Sequence, residues 1–227
     1  MKKIITLSLM ICLAFLQSKA QTQPDVTSAS FQKELKSMRP KLGIKAGYNF
    51  AKVIGSTPDF SPKSNNGFMV AGFFAPQSKG LGYRTELIFS RQGFSFDETG
   101  KMQDVTQDYI YMPHLTTFTI AKRVQLQAGG QVGYLLNAKK SSSKQSEEEK
   151  VTEYMNRFDY GFAGGIEIYP FKGLLIGGRY NVSLGNIYKA SSSSSTTPSP
   201  IPNPLPFNPE EVKGKNAVVQ FFVGYRF

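Results

Sequence analysis

Seven charged side chains recur on the polar side of alternating apolar and polar segments: Lys45, Arg84, Glu86, Asp159, Glu167, Arg179 and Arg226. The amides Gln125, Gln127, Gln131, Asn181 and Gln220 share that side. Enclosed in a protein interior, such charges persist only when paired and hydrogen-bonded. The expectation is an internal salt-bridge network that fills a lumen and fixes strand register. The alternative is a polar path for small ions, although long Arg and Gln side chains would obstruct general diffusion.

Catalytic chemistry has little to work with. His114 is the single histidine, so any Ser-His or Asp-His arrangement has one possible centre. It follows Pro113 within a strand-like stretch, with no acid near it on that face, and is expected to be a packed or interface residue. The one cysteine, Cys12, lies in an N-terminal apolar run, which leaves the rest of the chain without a thiol. Disulfides, Cys-ligated metals and cysteine catalysis are excluded together. Asp97, Glu98 and Asp104 could attract a divalent cation weakly, but they lack the spacing of a calcium loop. Glycines stand within strand-like segments rather than before a helix, so no phosphate loop is present. No cofactor and no enzymatic activity are expected.

The elements that must position these residues are β-strands. Ala217, Val219, Phe221, Val223, Tyr225 and Phe227 occupy every second position of the last segment. A period of two over this length marks a strand with one face in an apolar medium. The pattern recurs in 42–53, 82–96, 124–138, 158–170 and 174–188, the last with Leu174, Ile176, Tyr180, Val182, Leu184 and Tyr188 on its apolar side. Segments 66–75 and 105–120 are strand-like too, but both faces carry large apolar groups and the register is open. The count is eight.

The polar face carries Gly43, Gly47, Gly129, Gly133, Gly161, Gly165, Gly177 and Gly185, and small residues suit the crowded interior of an eight-stranded barrel. The bulky, aromatic face suits lipid, and closure satisfies every backbone group in hydrocarbon. Connections alternate between longer (54–65, 97–104, 139–157, 189–215) and shorter (76–81, 121–123, 171–173). Outer-membrane barrels show this asymmetry, with long loops outside and short turns in the periplasm. The expected fold is all-β, an eight-stranded antiparallel up-and-down transmembrane β-barrel over 42–227.

Residues 1–20 read as a signal peptide, with Lys2 and Lys3, an apolar run from Ile4 to Leu16, and Ser18-Lys19-Ala20 before the cut. Residues 21–41 read as a periplasmic lead-in, with a short helix around Phe31 to Met38. Losing Lys2, Lys3 and Lys19 takes the formal charge from +11 to +8. The charges are scattered, with no nucleic-acid-binding motif, so the anions met are expected to be lipid headgroups and lipopolysaccharide phosphates. The Lys/Ser/Glu-rich segment 139–157 and the Ser- then Pro-rich segment 189–215 are expected to be mobile surface loops without a core.

Leu42-Gly43-Ile44-Lys45-Ala46-Gly47-Tyr48-Asn49, Glu86 to Gly93 and the closing Gly224-Tyr225-Arg226-Phe227 resemble the small outer-membrane β-barrel proteins common in Bacteroidetes, often labelled PorT-like or "porin family". The resemblance covers about 42–227. It implies an outer-membrane location, a non-enzymatic structural or secretion-associated role, and contact with envelope proteins. It also implies that Phe221, Val223, Tyr225 and Phe227 form the signal read by the barrel-assembly machinery. At Tyr109-Ile110-Tyr111-Met112-Pro113 the chain departs from that family, Tyr111 standing where an inward acid is usual. A narrow channel, a lipid- or peptide-modifying barrel enzyme and a soluble lipocalin-like barrel are the competing possibilities.

Overall fold

The computed structural model describes residues 41–55, 62–76, 80–98, 100–120, 123–142, 145–189, 205 and 212–227. The expected signal peptide, most of the lead-in with its helix, and most of 189–215 lie outside the described residues. Nine antiparallel strands follow one another: β1 (Lys41–Ile54), β2 (Lys63–Ala75), β3 (Leu81–Glu98), β4 (Lys101–Ile120), β5 (Val124–Ser142), β6 (Gln145–Lys150), β7 (Phe158–Ile168), β8 (Leu174–Ser183) and β9 (Lys215–Arg226). Eight of them form a ring, each paired to its neighbour, with β9 closing on β1 from Gly43↔Arg226 to Ile54↔Lys215. The ninth, β6, is a short addition to β5 outside that ring. No described helix is long and apolar enough to cross a membrane.

The bulky faces look outward. Leu42, Ile44, Tyr48, Phe50, Leu87, Phe162, Phe221 and Val223 are all exposed on the outer wall, whereas Lys45, Arg84, Glu86, Glu167 and Arg179 are buried inside. The two open registers are resolved by the ring. In β2, Met69, Ala71 and Phe73 turn in, and Phe68, Val70 and Phe74 turn out. In β4, Tyr109, Tyr111 and Leu115 turn in, and Phe118 and Ile120 turn out. Alternation alone could not choose here because each face is apolar for a different reason, lipid on one side and packing on the other.

Three expectations change at the upper end of the barrel. The segment 97–104 is no loop: β3 and β4 continue to a two-residue hairpin at Glu98↔Lys101, with Gly100 at φ 77°. Strands of 18, 20 and 19 residues in β3, β4 and β5 exceed the roughly 9–11 that cross a bilayer. Their upper halves therefore stand beyond the membrane. The strand expected over 174–188 ends at Ser183, and Tyr188 is buried within the molecule rather than on the lipid face. Bends at Gly185 and Ile187 break the alternation that assigned it.

The segment 139–157 is also structured. It supplies the end of β5, β6 and a 3-10 turn at Thr152–Tyr154. Val151 and Met155 are fully buried against Phe94, Phe96, Val105, Tyr109, Leu135, Ile187 and Tyr188, with Leu205 and Val212 joining the same cluster. A polar composition conceals this cap because the apolar groups are single residues donated by distant segments.

Candidate functional site: the filled lumen and its mouths

A strand places alternate side chains on one face, and ring closure turns those faces together. Lys45 on β1, Glu86 and Arg84 on β3, Glu167 on β7 and Arg179 on β8 meet in the lower lumen. Lys45 Nζ donates to Glu86 Oε1 at 2.6 Å and to Glu167 Oε1 at 2.7 Å. Arg84 Nη1 donates to Glu167 Oε2 at 2.6 Å, and Arg179 Nη2 to Glu86 Oε1 at 2.9 Å. Three cations thus face two carboxylates in a space closed to water. Neutral oxygens take up part of the excess. Arg84 Nη2 donates to Gln125 and to the Tyr169 hydroxyl, each at 2.8 Å, and Arg179 Nη2 donates to Gln127 at 3.0 Å.

Aromatic faces take up more. Lys45 Nζ lies 4.6 Å from the centroid of Phe222 and 5.1 Å from that of Phe73, while Arg84 sits 4.6 Å over Phe73. A ring quadrupole attracts a cation over its face, more strongly when the pair is desolvated. Glycines make room for these rings. A Cβ on Gly177 would come 2.6 Å from the Phe222 ring, and one on Gly43 would collide with the Phe73 ring. Phe73 and Phe222 belong to the site and were not named for it: the alternation of the last segment leaves Phe222 on the mixed face opposite Phe221 and Val223, and the register of 66–75 was open. Facing glycines across the strand pairs are the signal that could have found them.

Two of the seven expected members stand elsewhere. Asp159 makes no ion pair among the described residues; it lies in a separate, higher layer and accepts from the Tyr111 hydroxyl at 2.8 Å and from Ser183 Oγ at 2.6 Å. Tyr111, where the resembling family has an acid, therefore completes an internal contact as a donor. Arg226 sits at the lower mouth, half-buried, 4.5 Å over the Tyr169 ring. Both miss the cluster because position along the axis depends on strand stagger, which alternation does not encode.

Of the amides, Gln125 and Gln127 join the cluster and Gln131, Asn181 and Gln220 the layer above it. There Gln220 donates to Asn49 at 3.0 Å, and Asn49 donates to Ser90 at 2.9 Å. The cavity among Gln92, Tyr111, Gln131, Ser183 and Gln220 is only about 10 Å³, the space of about one water. Above it the apolar cap covers the lumen. A concavity of about 720 Å³ lies on the outer wall instead, over Ala46 and Gly72, and faces lipid.

The remaining candidates are structural. His114 is on the outer face of β4, its Nδ1 2.7 Å from the Tyr83 hydroxyl and 3.1 Å from Thr85 Oγ1. Asp97 accepts from the Gly100 amide at 2.8 Å and so stabilises the hairpin, while Asp104 accepts from Ser95 Oγ at 2.5 Å. Among the described residues no group of acids or histidine is placed to hold a metal. Phe221, Val223, Tyr225 and Phe227 all project outward along β9 and beyond its end.

A closed ring with a greasy exterior and an ion-paired interior is the arrangement of a membrane barrel. Residues 17–189, well over half of the chain, match the model of the outer membrane protein beta-barrel domain. The chain belongs to that family. It is therefore an outer-membrane protein, and the apolar belt is its lipid contact. This outer-membrane barrel is similar in structure to neisserial surface protein A, with a TM-score of 0.52 and 12% identity over 82% of this chain and 97% of that one. It also matches Ail, the attachment invasion locus protein of Yersinia pestis, at TM-score 0.46 and 20% identity, covering 84% and 100% of the two chains. OprG of Pseudomonas aeruginosa matches at TM-score 0.43 and 11% identity, over 84% and 97%. No curated protein matches the chain.

Proposed function

We propose that this outer-membrane barrel is a non-enzymatic anchor that holds a folded extracellular cap, and that it works through contacts on that cap and on its outer wall rather than by passing solute. The observation that carries this reading is the obstruction of the lumen. Lys45, Arg84 and Arg179 are locked to Glu86 and Glu167 with their side chains shut off from solvent. Val151, Met155 and Tyr188 lie buried in the cap above them. Moving an ion through would require breaking charge pairs in a low-dielectric interior, at a cost of several kcal/mol per ion.

Planar-bilayer recording of purified protein is the direct test. A flat baseline supports the anchor, and stable single-channel steps would replace it with the narrow channel. Loss of an envelope-linked hydrolysis or acyl transfer on His114→Ala would instead favour an enzyme. The PorT-like resemblance adds a secretion-associated role to the proposal, together with recognition of Phe221, Val223, Tyr225 and Phe227 by the assembly machinery. Affinity purification in mild detergent tests the secretion role: recovery of export-system components supports it, and their absence from the co-purifying proteins removes it.

A further inference from the structure

We infer that the periplasmic rim of the barrel is a docking surface for anionic phospholipid headgroups of the inner leaflet. The charged side chains of its described residues are all cationic. Its described cations are Lys41 at the start of β1, Arg123 in the turn before β5, Lys172 in the turn before β8, and Arg226 at the end of β9. The described residues of the turns at this end, 75–76, 80–81, 123–124, 168–174 and 225–227, include no Asp or Glu. None of the four described cations has an ion-pair partner among the described residues, and Lys41 feels the repulsion of Arg226 and Lys172.

Backbone hydrogen bonds hold the four on one continuous arc. Tyr169 N donates to Arg123 O at 2.7 Å, Arg226 N to Gly173 O at 2.7 Å, and Phe227 N to Leu42 O at 2.9 Å. The opposite end of the barrel differs. There acids stand among the cations, and Arg91 pairs with Asp108 and Lys139 with Glu148. Clustered like charges destabilise a fold unless an anion compensates them.

The position selects the anion. Phe171 is 74% exposed, Phe227 71% and Leu81 67%, and they stand between the cations as the lower edge of the lipid-facing belt. Aromatic residues at this level mark the boundary between hydrocarbon and headgroups. Cations placed there meet lipid phosphate, with an attraction of about fivefold in binding for each Lys or Arg near an anionic surface.

Native mass spectrometry of the folded barrel, released from micelles holding equal phosphatidylglycerol and phosphatidylethanolamine, tests the assignment. The wild type is expected to retain phosphatidylglycerol preferentially, with the preference weakening as salt rises. The triple variant Lys41→Gln/Arg123→Gln/Lys172→Gln is expected to lose that preference at least fivefold, while Lys63→Gln/Lys101→Gln/Lys139→Gln keeps it. Heat-modified gel migration verifies that both variants are folded. A rim variant that retains the full preference, or equal loss in both triples, overturns the inference. So does a rim variant whose lipid preference is unchanged but whose co-sedimentation with peptidoglycan is lost.

Discussion

Lys45 and Glu167 meet at 2.7 Å inside the barrel although 122 residues separate them in the chain. The contact exists only once β9 has closed on β1, so it reports ring closure itself. It also sets the charge balance of the lower lumen, where each carboxylate serves more than one cation.

That balance ranks two substitutions. Lys45→Met leaves Arg84 and Arg179 with Glu167 and Glu86, two of each sign. Glu167→Gln leaves three buried cations with one carboxylate, and an uncompensated buried charge costs roughly 3–5 kcal/mol. Urea unfolding in lipid vesicles is expected to show a much larger loss for Glu167→Gln than for Lys45→Met. Equal losses, or the reverse order, would refute the neutralisation described for this cluster.

Tyr111 and Asp159 form the second buried layer. Tyr111→Phe removes one donor from a carboxylate that keeps Ser183 Oγ and the Tyr160 amide. The expected loss is about 1–3 kcal/mol, and Tyr111→Phe/Asp159→Asn should cost less than the sum of its single changes. Additivity in the same unfolding assay would mean that the two side chains do not interact.

Val223 tests the outward assignment of β9. It pairs with Ala46 on β1 and Ile176 on β8 and is exposed in the apolar belt. An arginine on the lipid face costs about 2–4 kcal/mol near the bilayer midplane. Val223→Arg is expected to fall in that range in vesicles. No measurable change would place this face away from lipid.

Met155 tests the cap. Its side chain is fully buried, with Gln107 Nε2 3.4 Å from its sulfur. Met155→Ala removes about 2–5 kcal/mol of local packing. The expected consequence is new protease cleavage within 151–157 on intact cells, while the remaining barrel keeps its folded gel migration. Unchanged resistance would show that the cap does not depend on this residue.

Much of this was written locally. The alternation around Phe221, Val223 and Tyr225 required strands, and glycines opposite bulky residues required a crowded inside and a greasy outside. Those are short-range patterns, set by the two-residue period of the backbone and by the medium each face meets. Lys45, Arg84, Glu86, Glu167 and Arg179 could be assigned to the lumen on that basis alone.

Tertiary structure alone decided who meets whom. Asp159 left the charge cluster for Tyr111, and Arg226 moved to the mouth, because height in the barrel follows from strand stagger around the closed ring. Phe73 and Phe222 lie opposite Gly43 and Gly177 on neighbouring strands, and Phe222 became a wall for Lys45 only once β9 closed on β1. Met155 and Tyr188 entered the cap because a 3-10 turn before the one and bends before the other interrupt the alternation, and single apolar residues meet from segments whose composition is polar. A period of two specifies the side of the sheet, while depth and partnership come from closure of the ring.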